Sequence, residues 1–281
     1  MNSFEDIAKK EYQKSNNDIF PFIFEEKQYW LKKARATKPD KIQKFFYKFF
    51  PFELLIPPIV KSSKEALLYE ISKLEKFKEL GINTPVIAYK CEDFFVLEDS
   101  GNSVNAYLRS KDISEDRFYF FVDKLIFELS KIHNFSQFHG GSQLRNFTFK
   151  ADKVFVLDFE ESFETDVDIK TLQYRDFLLF LLSFIKIKET NFKIDYEKII
   201  NRYCEITNNI EFKQKLIRFS KKLRFFLWLY EKDFIKNVIL IALPASLTEI
   251  TAVLGVVIAG AAFKLTASEI STSAVILLKN F

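Results

Sequence analysis

Apolar residues are spaced as in strands near the beginning of the chain and as in helices further on. Short apolar runs bounded by polar or turn-forming residues predict strands over 19–24, 28–31, 86–89, 94–97 and 154–157. Apolar residues three and four positions apart predict helices over 39–50, 62–80, 114–133 and 167–233. Residues 1–17 suit either a polar helix or a frayed arm. Strands first and helices later predict an α+β fold with two lobes.

This order of elements divides the chain into four predicted segments. They are an N-terminal arm over 1–18, a smaller lobe over 19–101 with a Phe-rich helical insert at 39–60, a helical lobe over 102–236, and an apolar helical tail over 237–281. A length of 281 residues is that of one or two domains.

Composition and charge narrow the class of partner. The chain has 42 Lys and Arg against 38 Asp and Glu, which leaves a net charge of +4. Because nucleic-acid binding is normally accompanied by a clustered basic field, this small surplus of positive charge predicts no nucleic-acid partner.

Two cysteines cannot form a disulfide framework. The first residues lack the basic and apolar regions of a signal peptide, so a cytoplasmic location is expected.

The residues with the clearest chemical signal lie between positions 138 and 161. The stretch His139-Gly-Gly-Ser-Gln-Leu-Arg-Asn146 ends on an amide, and Asp158 directly follows the buried apolar run 154–157. An amide oxygen and a carboxylate on neighbouring segments are suitable ligands for Mg²⁺ on the phosphates of a nucleotide. The sequence therefore predicts Asn146 and Asp158 as a metal-binding pair.

These two segments resemble the catalytic loop and the metal-binding loop of the protein-kinase superfamily, especially its bacterial small-molecule and lipopolysaccharide-kinase branch. The loop of that branch reads His-Gly-Asp-x-x-x-x-Asn, and Asp158-Phe159 matches the metal-binding Asp-Phe pair. The resemblance covers about residues 19–233. It implies a two-lobed kinase-like fold with a reduced N-lobe and a helical C-lobe, with ATP and Mg²⁺ as cofactors. His139 is expected to brace its loop rather than to act as a base.

The resemblance also implies roles for residues outside the two loops. Lys32, in a strand, corresponds to the lysine that pairs the α- and β-phosphates, and Glu70, in the middle of a helix, corresponds to its ion-pair partner. Backbone groups from Glu98 to Ser100 would meet adenine, and Asp176 would be the buried aspartate that supports the catalytic loop. Considered alone, Lys32 also suits a solvated basic turn, and Glu70 an exposed helix position.

The sequence departs from the family at the position of the catalytic aspartate. That residue should lie five positions before Asn146, where this chain has Gly141. Glycine offers no proton acceptor, so Glu160 and Glu161 are the nearest carboxylates in sequence that could replace it. Arg145 is a candidate for supplying positive charge to a transferring phosphoryl group.

A second departure is the absence of a glycine-rich loop, since no glycine precedes Gly81. The hairpin turn over 25–27 is expected at the place of that loop, but it is acidic and has no glycine. Backbone amides there would not easily approach phosphates, which weakens the expectation of nucleotide binding.

The C-terminal tail permits two interpretations. Residues 237–263 contain one charged residue, Glu249, and follow a basic stretch over 221–236. The longest uncharged run is 14 residues, fewer than the roughly 18 of a membrane-spanning helix. The tail therefore either attaches the protein to the cytoplasmic face of the inner membrane through 237–263 or packs as a helical hairpin.

Two functions from different classes follow from these patterns. One is a Mg²⁺- and ATP-dependent phosphotransferase that acts on a hydroxyl of a sugar, a lipid-linked saccharide or a protein. The other is a pseudokinase scaffold that binds nucleotide weakly or not at all and acts through protein or membrane contacts. The retention of Lys32, Glu70, Asn146 and Asp158 favours the first, and Gly141 favours the second.

Overall fold

A computed structural model describes residues 3–37, 41–49, 52–185 and 187–218 of the chain, and these residues form an α+β fold. Its strands are β1 (Ile19–Phe24), β2 (Lys27–Lys33), β3 (Ile87–Lys90), β4 (Phe94–Glu98), β5 (Asn102–Ser103), β6 (Phe147–Lys150) and β7 (Lys153–Val156). Its α-helices are α1 (Phe4–Lys14), α2 (Lys41–Phe49), α3 (Ser63–Glu79), α4 (Val104–Leu108), α5 (Glu115–Asn134), α6 (Ile169–Ile185) and α7 (Tyr196–Thr207). Short 3₁₀ turns lie at Glu53–Leu55 and Leu144–Asn146. The predicted α+β class is thus confirmed.

The first sheet has four antiparallel strands in the order β1-β2-β4-β3. Its hairpin β1–β2 pairs Ile19 with Lys32 at one end and Phe24 with Lys27 at the other. The two residues of the hairpin turn, Glu25 and Glu26, have positive φ angles of 47° and 62°. This left-handed turn matches the twist of the flanking strands, even though neither residue is a glycine.

Helix α1 covers one face of this sheet. Its first turn is closed by a capping box, in which Ser3 and Asp6 bond each other's backbone N–H groups. The buried side chains that it shares with the sheet are Ala8, Phe20, Phe22, Leu31, Phe94 and Val96. Over Phe4–Lys14 the helix interpretation is therefore confirmed, and the frayed-arm interpretation is wrong there. Phe4, Ile7 and Tyr12 pack against the same cluster, at the spacing of one helix face.

Helix α3 lies on the other side of the sheet, where β2 presents Lys32. Adjacent residues of a strand point to opposite faces, so Leu31 faces α1 while Lys32 faces α3. The helix begins after its N-cap residue Ser62, the first residue of the predicted helix over 62–80; the Ser62 hydroxyl accepts from Glu65 N while the Glu65 carboxylate accepts from Ser62 N. Glu70 and Lys73 are buried on α3, although both side chains are ionisable.

The second sheet is a three-stranded antiparallel unit in the order β5-β6-β7. Strand β7 was expected from its apolar run, whereas β6 and β5 were not. The hairpin β6–β7 places the loop before β6 beside the segment after β7, because Leu157 N donates to Asn146 O at 2.9 Å. Two segments that are twelve residues apart in sequence therefore meet in space.

The chain divides into two compact units, Met1–Leu179 and Phe180–Phe281. The first contains every strand of the described residues and all predicted site residues. The second contains the end of α6 and all of α7, which is capped by Asp195. No helix of the described ranges has the length and apolarity needed to cross a membrane. The tail over 237–281 lies outside the described residues, and the boundary after residue 101 stays a prediction.

Candidate active site

The ammonium group of Lys32 lies between two carboxylates from distant parts of the chain. Its Nζ is 2.7 Å from Glu70 on α3 and 3.0 Å from Asp158 after β7. Burial alone would lower the pKa of Lys32, but the two carboxylates outweigh burial and raise it, so the side chain stays charged. Burial raises the pKa of the Glu70 carboxyl, and Lys32 counteracts this effect. Lys32 is therefore not in a solvated turn, and Glu70 is not an exposed helix residue.

The predicted metal-binding pair, Asn146 and Asp158, lies at the adjoining ends of the β6–β7 hairpin. Burial alone would raise the pKa of Asp158, but Lys32 outweighs it and lowers the pKa, so this side chain is a carboxylate. The Asn146 side chain donates from Nδ2 to Gly141 O at 2.7 Å. Gly141 O can accept a hydrogen bond only from the nitrogen of the Asn146 side-chain amide. The amide therefore has Nδ2 toward Gly141 and Oδ1 directed away from it. Both residues thus have an oxygen suited to a hard cation.

The loop before β6 is held from below by the fully buried carboxylate of Asp176. This carboxylate accepts from the backbone N–H groups of His139 and Gly140, the latter at 2.9 Å. Burial alone would raise the pKa of Asp176, but His133 outweighs it and lowers the pKa. Burial also lowers the pKa of His139 to about 4, and its Nδ1 accepts from Gly141 N at 3.1 Å. A neutral, fully buried imidazole suits the expected bracing role of His139.

The two consecutive glycines of this loop differ in their backbone conformation. Gly140 has a φ of 101°, and a Cβ there would lie 3.1 Å from Glu161 Cβ, so this position favours glycine. Gly141 does not adopt the left-handed conformation, and a Cβ there would meet Asn146 Nδ2 at 3.4 Å, an ordinary contact. A side chain thus fits at position 141 but not at position 140.

The two glutamates after Asp158 have different environments. Glu161 pairs with Arg175 at 2.9 Å, and Arg175 also donates to Gly140 O. Burial raises the pKa of Glu161. Glu160 instead lines an open cleft next to Asp158. Of the two predicted replacements for the missing aspartate, only Glu160 lines this cleft.

The cleft has a volume of about 200 Å³ and lies between the Lys32 end of the β1–β2 hairpin, α3 and the segment after β7. Its lining residues are Asp18, Ile19, Lys32, Lys33, Ala34, Arg35, Ala66, Leu67, Glu70, Arg145, Asp158 and Glu160. The predicted residues Lys32, Glu70, Arg145, Asp158 and Glu160 are thus brought together.

The β1–β2 turn is not part of this cleft. Lys27 is five residues from Lys32 along β2, which places the turn at Glu25 and Glu26 roughly 17 Å from Lys32 at the usual rise of a strand. The expectation that this turn takes the place of a glycine-rich loop is therefore wrong. Its acidic residues do not bear on whether phosphates bind beside Lys32.

The segment from Glu98 to Ser100 connects the two sheets. Glu98 N donates to Val86 O at 2.9 Å, and Asp99 N donates to Gln28 O at 3.2 Å. The buried hydroxyl of Ser100 shares a hydrogen bond of 2.8 Å with Thr148. These bonds fix the segment firmly, and its contact with adenine stays a prediction.

Lys73 is a buried site residue that sequence reasoning missed. Its Nζ donates to His139 O at 3.0 Å and lies 3.9 Å from the centre of the Phe138 ring. Burial lowers the pKa of Lys73 to about 7. The sequence signal for Lys73 was its position one turn after Glu70, which places both side chains on the same face of the helix. Lys73 joins α3 to the loop that carries Gly140 and Gly141.

Replacing Lys73 by Met should flatten the dependence of stability on pH. Lys73 binds its proton more weakly in the folded chain than in the unfolded chain, so the wild-type free energy of unfolding should rise from about pH 7 to about pH 10. The contribution is at most about 1.4 kcal/mol per pH unit. Urea unfolding at several pH values measures it as the difference between wild type and Lys73→Met. Parallel profiles would contradict the shifted pKa.

The site combines a lysine held by two carboxylates with an amide and a carboxylate at the end of a hairpin. Such a set of residues is suited to binding a cation and a polyphosphate.

No family model matches the sequence. An uncharacterized protein of Haemophilus influenzae is 31% identical over 158 residues, which cover 56% of this chain and 59% of that protein. The matched part is thus about three fifths of the relative's length. The structure of WaaP in complex with acyl carrier protein is similar over 78% of this chain and 85% of that chain, with 12% identity and a TM-score of 0.47. A TM-score this low defines neither fold nor function.

Proposed function

We propose that this protein is a Mg²⁺- and ATP-dependent phosphotransferase of kinase-like fold. The observation that carries the proposal is the position of Lys32, whose ammonium joins Glu70 of α3 to Asp158 after β7. A lysine oriented by a helix glutamate beside a metal-binding aspartate is the arrangement that the resemblance implies for phosphate binding. The three residues lie 38 and 88 positions apart in sequence, so only folding brings them together.

The residues present suit Mg²⁺ and a nucleotide. Asp158 is ionised, and the hydrogen bond from Asn146 Nδ2 to Gly141 O directs Oδ1 away from that carbonyl. Mg²⁺ prefers such oxygen ligands and is commonly held by one or two of them together with substrate phosphates. When bound, the metal would neutralise the negative charge of the phosphates. Lys32 would then donate to phosphate oxygens while Glu70 keeps it oriented.

The remaining polar residues of the cleft have roles in this proposal. Position 141 has no proton acceptor, so either Glu160, which lines the cleft, accepts the proton of the attacking hydroxyl or the site works without a general base. Arg145 is an exposed cation in the same cleft and would stabilise the transferring phosphoryl group. Glu161 is paired with Arg175, so it would stabilise the loop rather than accept the proton. The segment from Glu98 to Ser100 would contact adenine.

The acceptor is proposed as a hydroxyl of a sugar, a lipid-linked saccharide or a protein, following the resemblance. The proposed location is the cytoplasm, with attachment to the inner membrane through residues 237–263 when the tail binds lipid. Neither the acceptor nor the location bears on the chemistry of Lys32 and Asp158.

Lys32→Met is expected to remove most of the stabilisation that Mg²⁺ and ATP give to the wild-type protein. A ligand that binds only the folded protein stabilises it by RT ln(1 + [L]/Kd), so weaker binding at the same ligand concentration reduces the shift in melting temperature. Lys27→Met makes the same change at an exposed position of the same strand and should keep the full shift. Asp158→Asn should behave as Lys32→Met does, and the melting temperature without ligand reports whether each variant folds. Equal shifts in wild type, Lys32→Met and Asp158→Asn would refute the site.

A pseudokinase scaffold is the second candidate, and Gly141 is the observation that favours it. Such a protein would bind Mg²⁺ and ATP weakly or not at all and would release no phosphate. The Phe-rich insert over 39–60 and the tail would then be its contact surfaces.

A further inference from the structure

The turn between α1 and β1, residues 15–18, lies at the Lys32 end of the hairpin. Ile19 pairs with Lys32, so the residues that precede β1 lie beside the residues that end β2. Asp18 lines the same cleft as Lys32 and Asp158. The 15–18 turn thus borders the part of the cleft where the proposed function places phosphates.

Hydrogen bonds hold this turn on the end of β2. Lys33 N donates to Asp18 O at 2.8 Å, and Lys33 Nζ donates to Ser15 O at the C-terminal end of α1. A cation at this end of a helix is favourable because the helix dipole is negative there. Asn17 N donates to Ser15 Oγ at 3.1 Å. The backbone of the turn is therefore positioned by the strand that carries Lys32.

A replaceable ion pair lies on the rim of the cleft. Arg35 is 3.1 Å from the Asp18 carboxylate, and the two side chains are 60% and 54% exposed. Exposed ion pairs contribute little to stability, so Arg35 can exchange this carboxylate for another anion at small cost. Lys32, in contrast, is held by two carboxylates within 3.0 Å and cannot leave them as easily.

The size of the cleft indicates which part of a nucleotide it takes. Its volume of about 200 Å³ is below the roughly 300–1,000 Å³ of pockets that enclose whole drug-sized ligands. Charged side chains make up most of its lining, and its four cations and four carboxylates suit phosphates together with a metal ion rather than a base. Arginine binds phosphate through two parallel N–H groups, whereas no glycine precedes Gly81 to let backbone amides approach phosphates closely.

We propose that Arg35 binds the terminal phosphates of the nucleotide, and that the Asp18 carboxylate of the 15–18 turn holds Arg35 on the rim of the cleft until the phosphates displace that carboxylate. This inference rests on the proposed function, because it concerns the ligand of the same cleft. It assigns to an arginine the contacts that a glycine-rich loop would otherwise make. Asp18 then opposes phosphate binding, since its carboxylate competes for Arg35.

The test compares Arg35→Gln with Asp18→Asn by titration calorimetry with Mg²⁺ and a non-hydrolysable ATP analogue. Arg35→Gln should weaken binding by roughly tenfold, because a charge-assisted bond is lost. Asp18→Asn should strengthen binding severalfold, because the competing carboxylate is removed. Glu26→Gln makes the matching charge change at the other end of the hairpin and should leave the affinity unchanged. Melting temperatures without ligand should be close to that of wild type for all three, as expected for exposed residues.

The opposite signs of the two effects distinguish a binding role from a structural one. If the ion pair only held the turn in place, breaking it from either side would change the affinity in the same direction. Effects of the same sign, unchanged affinity in Arg35→Gln, or an equal gain in Glu26→Gln would each overturn the inference while the proposed function stands. Failure of the wild-type protein to bind the analogue would overturn the proposed function and this inference with it.

Discussion

Gly141→Asp is expected to raise the release of phosphate from Mg²⁺-bound ATP by up to roughly 10²- to 10⁴-fold, the contribution of a positioned general base. The loop can accept the change, because Gly141 does not adopt a left-handed backbone and a Cβ there meets only Asn146 Nδ2 at 3.4 Å. Release of labelled phosphate from γ-labelled ATP measures the effect with water as the acceptor. Gly141→Asn is the matched control, since it has the same shape but accepts no proton.

The same experiment separates the two candidate functions. If Glu160 already accepts the proton, Gly141→Asp adds little and Glu160→Gln becomes the damaging change. Glu161→Gln should instead lower stability, because Glu161 is paired with Arg175 beside Gly140. A pseudokinase shows no change in phosphate release in any of these variants. A Gly141→Asp protein that melts like wild type and binds Mg²⁺ and ATP, yet releases no phosphate, would count against the phosphotransferase.

Asp176→Ala is expected to lower the free energy of unfolding by roughly 3–5 kcal/mol, the usual cost of removing one partner from a buried charged network. The change leaves the buried N–H groups of His139 and Gly140 without their acceptor. It also removes the negative charge that partly offsets the effect of burial on the pKa of Lys73. Urea unfolding monitored by circular dichroism measures the loss.

Asp166→Ala is the control for this prediction, because it makes the same chemical change at an exposed position. Its effect should stay within about 0.5 kcal/mol. The pKa of Asp176 is lowered in the folded chain, so its stabilising contribution is present above the ordinary pKa of aspartate and is lost as the pH falls through the lowered value. If Asp176→Ala and Asp166→Ala were equally stable at neutral pH, Asp176 would not support the loop.

Local sequence patterns were sufficient to predict most of the regular structure. The cap at Ser62 and the two apolar runs on either side of the polar turn over 25–27 are local features, so helix α3 and hairpin β1–β2 could be predicted without tertiary contacts. The resemblance to the protein-kinase superfamily also predicted that Lys32, Glu70 and Asp158 belong to one site. Strand β6 (Phe147-Thr-Phe-Lys150) was missed because it lacks a continuous apolar run such as the one that marks β7, which is equally short.

Tertiary structure decided which side chains share an environment, since burial and long-range pairing are not encoded in local spacing. The register of β1 on β2 placed the 15–18 turn, not the turn at Glu25 and Glu26, beside Lys32. Packing separated Glu160 in the cleft from Glu161 on Arg175, although the two are adjacent in sequence. Burial of Lys73 followed from the packing of α3 against the loop. The sequence by itself determined most of the elements and most of the candidate residues, and the fold alone determined their partners, charges and access to the cleft.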